Sequence, residues 1–314
     1  MADKGANNSL ESRIAAIAQA ANPRVSSKRV PDMAALEQTG SSGAGHGYFV
    51  VIALVLLALV SAPSRLAASE LKDQTRLAWD NYVQAACSRA EARSGESFLR
   101  ISDFPARRHD VQAGEIVVWR EAAGHKTVAH GLIHHWMGAV FVPKATMADV
   151  LSVIRDYDRY PEIYKPAVME AKGIGAAGND DRFSMLLMQK VLFVKAAMQG
   201  EYETRYVQID SKRWYSISQS TRLQAIERFG EPDMRVLPVD QGPGYVWRLY
   251  SFTRFEESDG GVYIEIEALG LSRDVPMMLR WLVDPVVEHV PRNSLYGTLE
   301  ETREAVLAKV SRED

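Results

Sequence analysis

His130, His134 and His135 lie close together, the clustering a metal site would need. Their segment reads as a strand, however. On a strand, residues four apart stand about 13 Å from each other and neighbours point to opposite faces. The three imidazoles therefore cannot share one ion, and no metal is expected. Gly173-Ile174-Gly175-Ala176-Ala177-Gly178 spells the G-x-G-x-x-G of dinucleotide sites. That motif must open a helix whose N-terminus takes the pyrophosphate. Here Asn179-Asp180-Asp181 and another strand pattern follow, so a flexible hairpin is expected. No G-x-S-x-G elbow, H-E-x-x-H helix or P-loop is present, and no cofactor is implied. No catalytic residue is assigned. The single cysteine, Cys87, excludes a disulfide within the chain and a multi-cysteine zinc site.

Charges at alternate strand positions remain: Arg222, Arg248, Glu265, Glu267 and Arg273. Such groups either face water or, if internal, must be paired and hydrogen-bonded. An internal set could orient an acidic headgroup. The net charge of −3 offers no basic surface for a phosphate backbone, so nucleic acid is not an expected partner.

The elements that would position these groups follow from periodicity. Residues 1–47 are rich in Ala, Asn, Ser and Gly and read as a disordered tail. Residues 49–60 are uncharged and apolar, and Lys4, Arg13, Arg24, Lys28 and Arg29 precede them. Twelve helical residues span about 18 Å, short of the roughly 30 Å hydrocarbon core. With Ala67-Ala68-Ser69 following, residues 48–69 read as a signal peptide or a membrane anchor, with the rest exported. The 47 residues ahead are long for a secretory leader: either translation starts downstream or the segment is an uncleaved anchor.

Apolar residues at near-helical spacing predict a helix over 71–93, and strands are expected at 115–120 and 132–142. Thr146 with Asp149 three residues on predicts a capped helix start. From Val168 the pattern has period two, giving strands at 168–172, 182–191, 197–208, 214–226, 245–256 and 261–269. A helical stretch over 276–309, divided by Pro285 and Pro291, closes the chain. A sheet with one apolar face must cover that face, and the last helix is the available lid.

The run Phe141-Val142-Pro143, continuing through Val150-Leu151-Ser152-Val153-Ile154-Arg155-Asp156-Tyr157-Asp158-Arg159-Tyr160-Pro161-Glu162-Ile163-Tyr164, resembles the opening of the START-like superfamily. That superfamily includes polyketide cyclases, plant allergen-type ligand carriers and coenzyme Q-binding proteins. The resemblance covers roughly residues 130–310 and implies an α+β helix-grip fold with an apolar cavity between sheet and terminal helix. Gly131-Leu132-Ile133-His134-His135-Trp136 and Leu271-Ser272-Arg273-Asp274 also resemble exported proteins of soil bacteria. The expected organisation is a tail (1–47), a targeting segment (48–69), a helix-plus-hairpin extension (70–125) and a helix-grip domain (126–314).

Two strands bear on whether the interior is hollow. Trp214, Ser216, Ser218, Ser220 and Arg222 share one face, and Tyr202, Thr204 and Tyr206 share another. Neither face is as apolar as a dry core. Ligand pockets mix apolar walls with a few polar groups, although a half-solvated sheet would read the same way. The cavity implied by the resemblance would take its walls from Met137, Phe141, Met185, Leu187, Tyr202, Tyr206, Trp214, Trp247, Leu295 and Leu299. The expected function is binding or transport of a hydrophobic small molecule, a lipid, quinone or similar, at or outside the cytoplasmic membrane. A cyclase or hydrolase using the same cavity, with residues such as Glu267 and Arg222, is the alternative. A structural protein with a filled core is the third reading.

Overall fold

The computed structural model describes residues 69–313, apart from 94, 122–125, 192–193, 243–245 and 275–279. The tail 1–47 and the apolar run 49–60 lie outside the described residues. Among the described residues, no helix is long and apolar enough to cross a membrane.

Period-two alternation produces long antiparallel strands: β4 (Gly131–Pro143), β5 (Val168–Ala177), β6 (Asp180–Val191), β7 (Val194–Gln208), β8 (Arg213–Glu227), β11 (Arg248–Ser258) and β12 (Gly261–Arg273). With the short β2 (Val117–Arg120) they form one curved sheet in the order β2-β4-β12-β11-β8-β7-β6-β5. Two short strands join it, β3 (Lys126–Val128) against β4 and β9 (Arg235–Val236) against β8. A separate pair links β1 (Ser69–Glu70) to β10 (Gln241–Gly242). The glycine-rich run is the β5–β6 hairpin, with Gly178 at a φ of 65° in its turn. Asp259 and Gly260, both at positive φ, close the β11–β12 hairpin, as a tight two-residue turn requires.

Between β4 and β5 the chain makes α3 (Met147–Ile154) and α4 (Tyr160–Ile163). Two earlier helices, α1 (Asp73–Glu91) and α2 (Pro105–Gln112), belong to the extension. The final helix, α5, runs from Arg280 to Glu313. The expected break at Pro285 and Pro291 does not occur. A proline inside a helix removes one N–H donor and strains one turn. The rest of the hydrogen-bond ladder continues, and Leu295, Leu299 and Val306 hold the later turns on the sheet.

Around β4, β12 and β11 the sheet is covered on both faces. On the inner face α5 rests chiefly against β4, β2, α3 and α4, burying Val140, Val142, Ile264 and Phe255 with Val150, Val153, Leu299 and Val306. On the outer face α1 buries Trp79, Ala86 and Ala90 against Ile133, Phe252, Leu269 and Leu271. Turns around Phe98, Leu99 and Ile101, with Val111 of α2, cover Met137, Ala139, Phe141 and Tyr263.

The predicted cap is present: Thr146 and Asp149 form a capping box at α3. Asp149 accepts from the Thr146 amide (2.9 Å) and hydroxyl (2.6 Å), and from Lys309 Nζ of α5 (3.0 Å). Burial pushes its carboxyl up, but these donors outweigh burial and hold it below its ordinary 3.8. Its contribution to stability is therefore complete above that value and is lost as pH falls through the lower folded value. Asp149→Asn should cost about 1 kcal/mol at neutral pH and flatten the acid limb of the unfolding curve. Thermal melts followed by circular dichroism across pH 3–7 check both effects; an unchanged acid limb would refute the role of Asp149.

Candidate functional site

The inner face can be read as rows of residues that lie opposite one another across the strands and so point the same way. One row, Val140, Ile264, Phe255 and Trp214, is large and apolar. The next runs Gly138, Ile266, Thr253, Ser216 and Tyr206. The third runs Trp136, Ala268, Ser251, Ser218, Thr204 and Asp181. Small and hydroxyl side chains thus occupy the middle of a face that a helix roofs. Ile266, Thr253, Ala268, Ser251 and Ser218 remain only half-buried there. A core at normal packing density would place large apolar groups at such positions. The strands carrying these hydroxyls, β8 and β11, are not among the chief contacts of α5.

Aromatic groups close one side. Tyr157, Phe183 and Tyr202 stack in a column, with centroids 4.2 Å and 5.2 Å apart. Tyr157 donates to Asp181 Oδ2 (2.9 Å) and lies 3.2 Å from the Tyr206 hydroxyl. Arg155 holds the same Asp181 through two bonds, at 2.9 Å and 2.8 Å, and lies over the Tyr206 ring. Tyr164 donates to Thr302 of α5 (3.0 Å), whose own hydroxyl proton goes to the Thr298 carbonyl (2.6 Å). Burial raises the phenols of Tyr157, Tyr202 and Tyr206 and pushes Tyr164 up to about 12. They are therefore donors at neutral pH rather than bases. The buried Tyr202 hydroxyl has no hydrogen-bond partner. Thr204 donates to Ser218 (2.8 Å), and Ser220 bridges the amide and carbonyl of Leu249 where the β8–β11 ladder ends.

The ten expected wall residues divide between the faces. Trp214, Leu295 and Leu299 lie in or against the inner cluster under α5. Tyr202 and Met185 share the cluster around Phe183, and Tyr206 adjoins it through Tyr157. Leu187 pairs with Met198 at the far end of β6. Met137, Phe141 and Trp247 do not face this space. The first two lie on the outer face under the extension, and Trp247 lies beneath α1. Strand β4 is buried on both sides, so its sequence shows no alternation from which to choose a face. Ser251, Thr253, Phe183 and Tyr157 were not read as wall residues. On β11 both alternating sets contain an aromatic residue, so pattern alone does not select the set holding Ser251 and Thr253.

The charges also rearrange. A β-bulge between Glu201 and Tyr202 on the β7–β8 ladder leaves Thr221 without a direct partner. It turns Leu223 inward and Arg222 outward to Glu201. Arg248 binds Asp240 instead of an internal carboxylate. The buried network consists of Arg254, Glu265, Glu267 and His135, and it lies on the outer face. His134 and His135 do point to opposite sides: His134 reaches Ser272, and His135 reaches Glu267 and Tyr82.

The order of β4, two short helices, a run of antiparallel strands and a long terminal helix lying on their inner face settles the architecture. This is a helix-grip fold. No family model matches the chain, and no curated protein matches it. Solved structures do align with it. A STAR-related lipid transfer protein from Xanthomonas axonopodis is 17% identical, aligned over 61% of this chain and 98% of its own, with a TM-score of 0.39. Human STARD10 is 10% identical over 67% of this chain and 81% of its own, with a TM-score of 0.38. Zhui aromatase/cyclase from a Streptomyces species is 14% identical over 58% and 95%, with a TM-score of 0.35.

Proposed function

We propose that this helix-grip chain binds an apolar small molecule bearing hydrogen-bonding oxygens, held between the inner face of the sheet and α5. The carrying observation is the stripe of half-buried Thr253, Ser251 and Ser218, with buried Ser216, in the middle of the inner face beside the strands that α5 covers. The unpartnered Tyr202 hydroxyl, which stands over Gly200 beyond the end of the stripe, favours a carbonyl- or hydroxyl-bearing ring system, quinone-like, over a bare acyl chain. Buried polar groups are normally satisfied, and a ligand oxygen would satisfy this one. Glu267 and Arg222, through which an enzyme reading was framed, both face away from this space. The same reading includes a location at or outside the cytoplasmic membrane; the uncharged run 49–60, preceded by Lys4, Arg13, Arg24, Lys28 and Arg29, supports it.

Mass spectrometry of an organic extract of the purified full-length chain tests the binding. An apolar species should accompany the wild type and be absent from Ser218→Trp and Ser251→Phe, which fill the stripe. Binding of the apolar dye Nile red should weaken at least tenfold in both variants, about 1.4 kcal/mol. Recovery of no molecule from the wild type, together with Nile red binding that neither variant alters, would end the proposal.

A further inference from the structure

The extension leaves an opening on the opposite face of the sheet. Helix α1 is pinned toward β4 by Tyr82, whose hydroxyl lies 2.8 Å from His135 Nδ1. Its buried residues Trp79, Ala86 and Ala90 pack in one cluster with Ile133, Leu269, Phe252 and Tyr250, and the helix lies nearest β11. Between it and β8 a groove remains. The groove left there has a volume of about 530 Å³, within the roughly 300–1,000 Å³ of small-molecule sites. Trp79, Val83 and Cys87 form its helical wall, and Ile217 and Tyr250 its floor.

Two features give this groove a chemistry. Tyr250 is only 6% exposed, and its hydroxyl has no oxygen or nitrogen partner. It faces the Cys87 thiol, and sulfur is a weak acceptor. A buried phenol on the floor of an opening is thus available to an incoming acceptor. The mouth, in contrast, carries Asp80 and Glu91 from α1. The rim cation, Arg248, is already neutralised by Asp240 through two bonds of 2.6 Å and 3.1 Å. The local field therefore disfavours anions.

We propose that this groove is a second ligand site, which takes a planar apolar molecule carrying a hydrogen-bond acceptor and no negative charge. Its apolar body lies between Trp79, Val83 and Ile217, and its acceptor receives the Tyr250 proton. The groove lies on the opposite face of the sheet from α5 and meets inner-facing residues only at Ser220 and Leu249, where the β8–β11 ladder ends.

Because Cys87 is the only cysteine in the chain, its alkylation reports on this groove alone. The full-length protein is treated with iodoacetamide in the presence of 7-diethylaminocoumarin, a neutral planar molecule with a lactone carbonyl, and the modified fraction is followed by mass spectrometry. Saturating coumarin should slow alkylation at least tenfold. The matched anion, 7-diethylaminocoumarin-3-carboxylate, should need at least tenfold higher concentration for the same protection. Tyr250→Phe should raise the half-protecting concentration roughly three- to tenfold, as loss of one hydrogen bond implies. Gln84→Trp, at an exposed position on the groove wall, should shield Cys87 without any coumarin. Absence of protection, equal potency of the two coumarins, or protection unaltered by Tyr250→Phe would each overturn the proposal. Ser218→Trp, on the other face, should leave the protection unchanged, so failure here leaves the inner-face reading standing.

Discussion

Replacing Glu265 with alanine should lower the stability of this protein by about 3–5 kcal/mol, the range found when one partner of a buried ion pair is removed. Glu265 is 0% exposed and Arg254 1% exposed. The carboxylate accepts from the amides of Arg100 and Ile101, both at 2.8 Å, and from Arg254 Nη1 at 3.3 Å. One side chain thus ties the turn between α1 and α2 to the centre of the outer face. Without it, Arg254 keeps Glu267 only at 3.7 Å, and its ring contact with Phe252 cannot replace a charge. Two amides of the extension also lose their acceptor. Glu265→Gln should cost less, because its carbonyl still accepts from an amide.

Acid titration separates the two carboxylates of this network. Burial raises the Glu265 carboxyl, so its contribution is complete below the unfolded value of 4.5 and is lost as pH rises through its folded value. Glu267 behaves oppositely. Burial pushes it up, but the bond and charge of His135, with Arg254, hold it below 4.5. Its contribution is present above that value and is lost as pH falls through its folded one. Urea unfolding midpoints of Glu265→Ala from pH 3 to pH 7 check this. The loss relative to wild type should be largest near pH 3 and smaller at pH 7, where only the pairing with Arg254 and the two amides remains, with the acid limb set by Glu267 retained. A loss under 1 kcal/mol at pH 7 would show that Arg254 finds solvent or another acceptor.

How much of this was legible beforehand depends on whether the signal is local. The capping box at Thr146 and Asp149 and the hairpin at Gly178 are decided within a few residues, and the sequence shows them directly. The inward set Trp214, Ser216, Ser218 and Ser220 follows from strict alternation. It fails at Arg222 because a bulge shifts the parity of everything beyond it, and a bulge has no pattern of its own here. Met137 and Phe141 were assigned to the wrong side of β4 because a strand buried on both faces offers no contrast. The turns and helix α2 between Gly95 and Gln112 are rich in Arg and lack periodicity, so nothing announced that they cover the outer face. The Arg254–Glu265 pair was half-visible: Glu265 was suspected, but its partner lies one strand away and only the β11–β12 register brings the two together.

Truncating Leu299 to alanine should cost about 2–5 kcal/mol, the range for leaving a cavity where a leucine was, and lower the melting temperature by roughly 4–20 °C. Leu299 is fully buried, and its Cδ1 lies where Gly138 leaves room: a Cβ on Gly138 would stand 2.7 Å from it. Glycine is what lets α5 approach β4 so closely at this point. Leu295, Val306 and the Tyr164–Thr302 bond complete the seat, so the surrounding groups have little freedom to collapse into the space. Two strands across the sheet from Gly138, in the same row, stands Thr253, on the same inner face but half-buried. Thr253→Ala should therefore cost less than about 1 kcal/mol, since it removes atoms from the edge of a hollow rather than from a packed seat. The difference between the two substitutions measures whether one helix roofs both a solid end and an open middle. Equal losses would mean that the hydroxyl stripe is packed as tightly as the leucine seat, leaving no room there for a ligand.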